Sequence, residues 1–286
     1  MPLPDVESPT READHRDCGR SGLGSGFAAA VQPVSAQTRI TTASDGLVAG
    51  EVTVGVGDFM MPAYRAMPAG RSGRPVVLVV SEIFGVHEHI ADVARRFARQ
   101  GYFAIAPELF VRQGDAGSYA EAGPLIAEVV NRARDVQVMA DLDACVAWAK
   151  AQGADTTRLG ITGFCWGGRI VWMYAAHNPS LRAGVAWYGP LARAYAAGDR
   201  SPIDVAHRIK APMLGLYGAA DSGIPNDTVE QMRAALAAAG NTHSEIVLYP
   251  DTPHAFHADY RPNYRKAAAD DGWQRCLAWF KANGVA

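Results

Sequence analysis

The segment Gly163-Phe164-Cys165-Trp166-Gly167-Gly168 places a thiol between two glycines, each two positions away. The spacing is that of a nucleophile elbow, with cysteine where serine is more usual. Leu159-Gly160-Ile161-Thr162 before it reads as the end of a strand, and Trp166 to Ala176 after it as a helix. A tight strand-to-helix turn lifts the side chain above the sheet edge at the cost of strained backbone angles. The flanking glycines remove side chains that would strike the adjoining strand and helix. At a helix N-terminus the positive end of the dipole favours a thiolate. The Trp166 backbone N–H points to the same spot and can donate to an oxyanion. The chemistry implied is nucleophilic attack on a carbonyl carbon.

A nucleophile on such an elbow needs an acid and a histidine later in the chain, in that order. The strand-like Met213 to Tyr217 runs into Gly218-Ala219-Ala220-Asp221, and a carboxylate just past a strand can reach the crevice at the sheet's carboxyl edge. Ile246 to Tyr249 is followed by Pro250-Asp251-Thr252-Pro253-His254-Ala255-Phe256-His257, the loop before the final helix. Asp221 and His254 are the expected acid and base, with Asp251 and His257 as rivals. Cys145 and Cys276 fall in apolar-periodic helices as small buried residues, and Cys18 lies in the N-terminal tail. No C-x-x-C pair occurs, so neither a zinc site nor a redox pair is indicated.

These residues need a sheet to position them. Glu51 to Val54 alternates as a strand, with Met61 to Met67 as its hairpin partner. Arg74 to Ser81 is a continuous apolar run of the kind buried on both faces. Further strands are expected at Tyr102–Ala106, Arg158–Thr162, Ala183–Trp187, Pro212–Tyr217 and Glu245–Tyr249. Helices are expected at His89–Gln100, Val129–Ala151, Trp166–Ala176, Thr228–Ala239 and Tyr264–Asn283. Strands alternating with helices predict a parallel sheet covered on both faces.

The 286 residues are 49% hydrophobic and 20% charged, enough for a large core. A net charge of -2 without Lys/Arg clustering argues against nucleic-acid and membrane-surface binding. Residues 1–46 read as a flexible extension and 47–286 as one domain. Ser21 to Ala36 ends in Val34-Ser35-Ala36, which resembles an export cleavage site, but no basic n-region or twin-arginine pair precedes it. It is read as a possible degenerate export signal, with a cytoplasmic location expected and the periplasm as the alternative.

Four segments together resemble the dienelactone hydrolase family (carboxymethylenebutenolidases) over roughly residues 47 to 286. They are Ser81-Glu82-Ile83-Phe84-Gly85-Val86-His87, the Cys165 elbow, Gly218-Ala219-Ala220-Asp221 and Pro253-His254-Ala255-Phe256. The resemblance implies an α/β-hydrolase fold with a mostly parallel central sheet and helices on both faces. It implies hydrolysis of a carboxylic ester or lactone through Cys165, His254 and Asp221, by way of a thioester, without cofactor or metal. Glu82 would sit beside the thiol and take its proton when substrate displaces it. The Ile83 N–H would join that of Trp166 in the oxyanion hole. Arg112, Tyr188 and Phe84 would meet the substrate in a pocket made aromatic by Phe84, Trp166 and Trp187. The family's second substrate arginine falls on Ala258, with Arg261 nearby. The expected partner is a small-molecule ester or lactone, not nucleic acid or membrane, and the expected state a monomer or homodimer. The alternatives are a general carboxylesterase or thioesterase, a non-catalytic binding protein on this scaffold, and a redox sensor, for which no resolving cysteine has an obvious place.

Overall fold

The computed structural model describes residues 39–286. The first two strands, β1 (Leu47–Val56) and β2 (Phe59–Pro68), form the expected hairpin. Then come β3 (Pro75–Val80), α1 (Glu88–Arg99), β4 (Phe103–Pro107), α2 (Ala122–Glu128), α3 (Asp135–Ala151), β5 (Asp155–Phe164) and α4 (Trp166–His177). The chain closes with β6 (Ala183–Trp187), α5 (Pro202–Val205), β7 (Met213–Gly218), α6 (Asn226–Ala238), β8 (Glu245–Tyr249) and α7 (Lys266–Ala282).

The eight strands form one sheet in the order β1-β2-β4-β3-β5-β6-β7-β8. Pairing is parallel from β4 through β8 and antiparallel at the β1–β2 and β2–β4 edges. Every residue of β3, β4, β6 and β7 is buried, as strands covered on both faces must be. α1 and α7 pack together through Phe97, whose ring lies 4.7 Å from Trp273 and 6.0 Å from Phe280. On α3 and α4, Tyr174 Oη donates to Asp143 at 2.9 Å.

The strand order decides where a site can form. From β3 the chain moves one way to β4, then returns past β3 to β5 and continues the other way to β8. Right-handed crossovers then place the intervening helices on opposite faces and open a crevice at the carboxyl ends of β3 and β5.

Two features differ from expectation. The long helix starts at Asp135, not Val129, because Val130–Arg132 forms a separate 3₁₀ turn. Its first turn is fixed by distant groups: the Asp135 N–H donates to Asp199 Oδ2 at 3.3 Å, and buried Arg169 donates twice to the Asp135 carboxylate at 2.7 and 2.6 Å. The short helices α2 and α5 had no clear periodic signal. The possible export signal at Ser21 to Ala36 lies outside the described residues. Residues 39–46 run against α1, where Arg95 Nε donates to the Thr42 carbonyl at 3.0 Å, and reach the segment between β8 and α7, where the Ile40 N–H donates to Asp259 at 3.2 Å. No helix among the described residues is long and apolar enough to cross a membrane.

Candidate active site

Cys165 follows the last residue of β5 and heads α4 with φ +54° and ψ −118°, a strained conformation for a residue with a Cβ. Its N–H donates to the Trp187 carbonyl at 3.0 Å and its carbonyl accepts from the Arg169 N–H at 3.2 Å. The elbow glycines are sterically required. A Cβ on Gly163 would lie 2.5 Å from the Gly167 carbonyl oxygen, and one on Gly167 would lie 2.4 Å from that of Val80. The turn therefore presses against the end of β3, just before Glu82. The thiol is partly exposed, and the Trp166 N–H begins the helix beside it.

Asp221 and His254 sit on the loops after β7 and β8, which are joined tightly. The Ala219 N–H donates to the Tyr249 carbonyl at 2.8 Å and the Ala220 N–H to that of Thr252 at 3.0 Å. A Cβ on Gly218 would lie 2.1 Å from the Thr252 oxygen, so only glycine permits this approach. The result is a 2.6 Å hydrogen bond from His254 Nδ1 to Asp221 Oδ2. Asp221 Oδ1 accepts from the Gly223 N–H at 2.8 Å, fixing the carboxylate. Burial disfavours a charged His254, but facing Cys165 and Asp221 outweighs it and raises the imidazole to about 10. Of the rivals, Asp251 is exposed on its turn. His257 is buried against Phe164 and Trp187, with ring centroids 5.0 and 4.5 Å away, and burial pushes it well below the usual histidine range.

Glu82 is buried and does not stand alone. Its Oε2 accepts from His87 Nε2 at 3.2 Å, while Oε1 is buried without a partner. Burial raises this carboxyl, but His87, His89 and Arg261 outweigh it and bring it to about 2. His87 and Tyr260 were not singled out in the sequence. The Tyr260 hydroxyl lies 3.4 Å from His87 Nε2, and Tyr260, Tyr188 and Arg261 each face both Glu82 and Cys165. The turn carrying Glu82 and Ile83 rests on Glu108, whose Oε2 accepts from the Val86 N–H at 2.7 Å. Gly85, at φ +73°, has no room for a Cβ, which would lie 2.6 Å from the same carboxylate. Burial lifts Glu108 to about 7 despite the Val86 and Phe110 amides.

The expected substrate contacts fall in different places. Tyr188 is fully buried at φ +38°, its ring 5.1 Å from that of His254 and its hydroxyl without a partner. Phe84 is half-buried and lies under Arg261, whose Cζ is 4.7 Å from its ring. Arg261 Nε has no partner. Trp166 and Trp187 are buried, Trp166 4.5 Å from Phe110. Arg112 donates to Asp141 of α3 at 2.7 Å and stacks over Phe59 of β2 at 4.1 Å, so its guanidinium is occupied by scaffold contacts.

A mostly parallel sheet, a glycine-flanked cysteine turn at the switch point, and an acid and a histidine in the loops after β7 and β8 are the arrangement of an α/β-hydrolase fold. The family model described as the dienelactone hydrolase family matches residues 61–284. The chain belongs to that family. It is 58% identical to a "Putative carboxymethylenebutenolidase" of Methylorubrum extorquens over 268 residues, 93% of this chain and 92% of the relative. It is 53% identical to a protein of the same name from Escherichia coli (strain K12), over 91% of this chain and 96% of the relative. Among solved structures it resembles a "Putative Dienelactone Hydrolase" from Klebsiella pneumoniae, with 54% identity, TM-score 0.80, and coverage of 82% of this chain and 98% of that one.

Proposed function

We propose that the protein hydrolyses a carboxylic ester or lactone of a small molecule through a Cys165–His254–Asp221 triad and a thioester intermediate. The observation that carries this reading is His254, hydrogen-bonded to Asp221 at 2.6 Å and facing a Cys165 held at φ +54°. The acid fixes the imidazole's orientation, and the histidine meets the sulfur.

Substrate entering the crevice displaces Glu82, which takes the Cys165 proton; the S–H electron pair stays on sulfur. The thiolate attacks the carbonyl carbon, and the Trp166 and Ile83 N–H groups hold the oxyanion. The tetrahedral adduct collapses, the C–O bond breaks, and the leaving oxygen takes the proton from Glu82. The acylated sulfur carries no charge that would favour an imidazolium, and neutral His254 takes a proton from water. Hydroxide attacks the thioester, the C–S bond breaks, and the departing sulfur recovers that proton. Atoms balance as ester plus water giving acid and alcohol.

Arg261, with its free Nε beside Glu82 and Cys165, supports a substrate bearing an anionic group. Ala258, where the family's second arginine is expected, favours the second reading: a general carboxylesterase or thioesterase. Hydrolysis of dienelactone and p-nitrophenyl acetate by wild type and Cys165→Ala tests both. Loss of both activities in the variant supports the nucleophile, and wild-type preference for dienelactone supports the lactone. Wild-type rates in Cys165→Ala would overturn the reading.

A further inference from the structure

Glu82 and His87 lie at opposite ends of the turn after β3, and both are almost completely buried. A carboxylate can only accept, so the 3.2 Å contact between them is a donation from His87 Nε2–H to Oε2. It gives Oε2 its partner, while Oε1 has none. Around the pair, Arg261 and His89 bring positive or potentially positive charge toward Glu82, and Tyr188, Tyr260 and Cys165 supply groups that become negative when ionised. His89 is itself bonded to Asp259 at 3.0 Å, so His87 is the direct side-chain donor to Glu82.

We propose that His87 is a positioning residue that latches Glu82 in the resting enzyme, so that thiolate formation waits for substrate. With the latch closed, Glu82 is too weak a base to take the Cys165 proton. When a substrate pushes Glu82 off His87, the carboxylate loses its donor, its proton affinity rises, and the S–H proton passes to it. The S–H bond breaks, an O–H bond forms, and the electron pair remains on sulfur. The latch rests on the proposed role of Cys165 and Glu82, but it makes a separate prediction about the enzyme without substrate.

That prediction is a gain of thiol reactivity. His87→Leu fills the ring's space without a donor, and His87→Asn has an amide too short to reach Glu82. Both should speed alkylation of Cys165 by iodoacetamide at neutral pH at least 5-fold over wild type, read by mass spectrometry of the Cys165 peptide. His87→Gln restores a donor at similar reach and should return the rate to near wild type. Adding Glu82→Gln to His87→Leu should abolish the gain, because the amide cannot take the proton. An unchanged or lower rate in both donor-less variants overturns the latch. So does a gain that survives Glu82→Gln, which would mean general loosening of the turn. If Cys165→Ala hydrolyses esters at wild-type rates, the functional reading falls, while the alkylation series still reports on the latch independently.

Discussion

Glu82 and Cys165 leave neighbouring strands at the same level: Val80 of β3 pairs with Gly163 of β5, and each residue stands two positions beyond that pair. A carboxylate and a thiol thus flank the point where the strand order reverses, the place where an α/β sheet opens a crevice. Gly167 seals the arrangement, because its α-carbon backs directly onto the Val80 and Ser81 carbonyls.

Gly167→Ala should therefore break the elbow. The added Cβ meets backbone oxygens at 2.4 and 2.5 Å, which cannot rotate away as a side chain would. The expected outcome is a loss of about 3 kcal/mol or more of stability together with esterase activity, read by denaturant unfolding and ester hydrolysis. A soluble variant with wild-type activity would contradict the packing described.

Arg169 ties the elbow helix to the start of α3. It is fully buried, donates twice to Asp135, and donates to the Arg193 and Arg200 carbonyls at 3.0 and 2.6 Å. Arg169→Met leaves the Asp135 carboxylate without its cation and should cost about 3–5 kcal/mol. Urea unfolding measures this, and a cost below about 1 kcal/mol would show that solvent replaces the pair.

His254 should titrate above its ordinary range in the wild type. Burial works against this, and Cys165 followed by Asp221 work for it. Cys165→Ser removes the thiol, whose ionised form favours a protonated imidazole, so the imidazole should titrate lower. Imidazole nitrogen shifts followed by NMR would show the difference, and equal values in the two proteins would remove Cys165 from the list of causes.

Glu108 should make stability depend on pH. Its carboxyl is raised to about 7 by burial, so the fold favours its protonated form. That contribution is fully present below the unfolded carboxyl range near 4.5 and is lost as pH rises through 7. Glu108→Gln cannot ionise, so its stability relative to wild type should improve across this window by up to about 3 kcal/mol. Thermal unfolding of both proteins at pH 4.5 and pH 8 tests this. A constant difference would contradict the assignment.

The parts of the site legible in the sequence were those fixed by local geometry. The glycines around Cys165 are demanded by contacts within a few residues of the turn or with the adjacent strand, so their spacing carries the information. Asp221 and His254 were legible because apolar runs ending in loops mark the sheet's carboxyl edge. The alternation of strands and helices likewise gave the fold. What was hidden depends on chain segments meeting from a distance. α3 begins where Asp199 and Arg169 reach it, 64 and 34 residues away. Arg112 finds Asp141, 29 residues on, and no nearby pattern announces that partner. His87 is close to Glu82 in sequence, but burial gives the pair its meaning, and burial follows from the complete fold.

The most direct test of the central claim is to trap the acyl-enzyme. His254→Ala removes the base that activates water, so p-nitrophenyl acetate should leave a stable acetyl group on the protein. Intact and peptide mass spectrometry are expected to find one acetyl group on Cys165 and none in the Cys165→Ala/His254→Ala double variant. Acetylation at another residue, or turnover in the double variant equal to wild type, would contradict a cysteine-centred hydrolase.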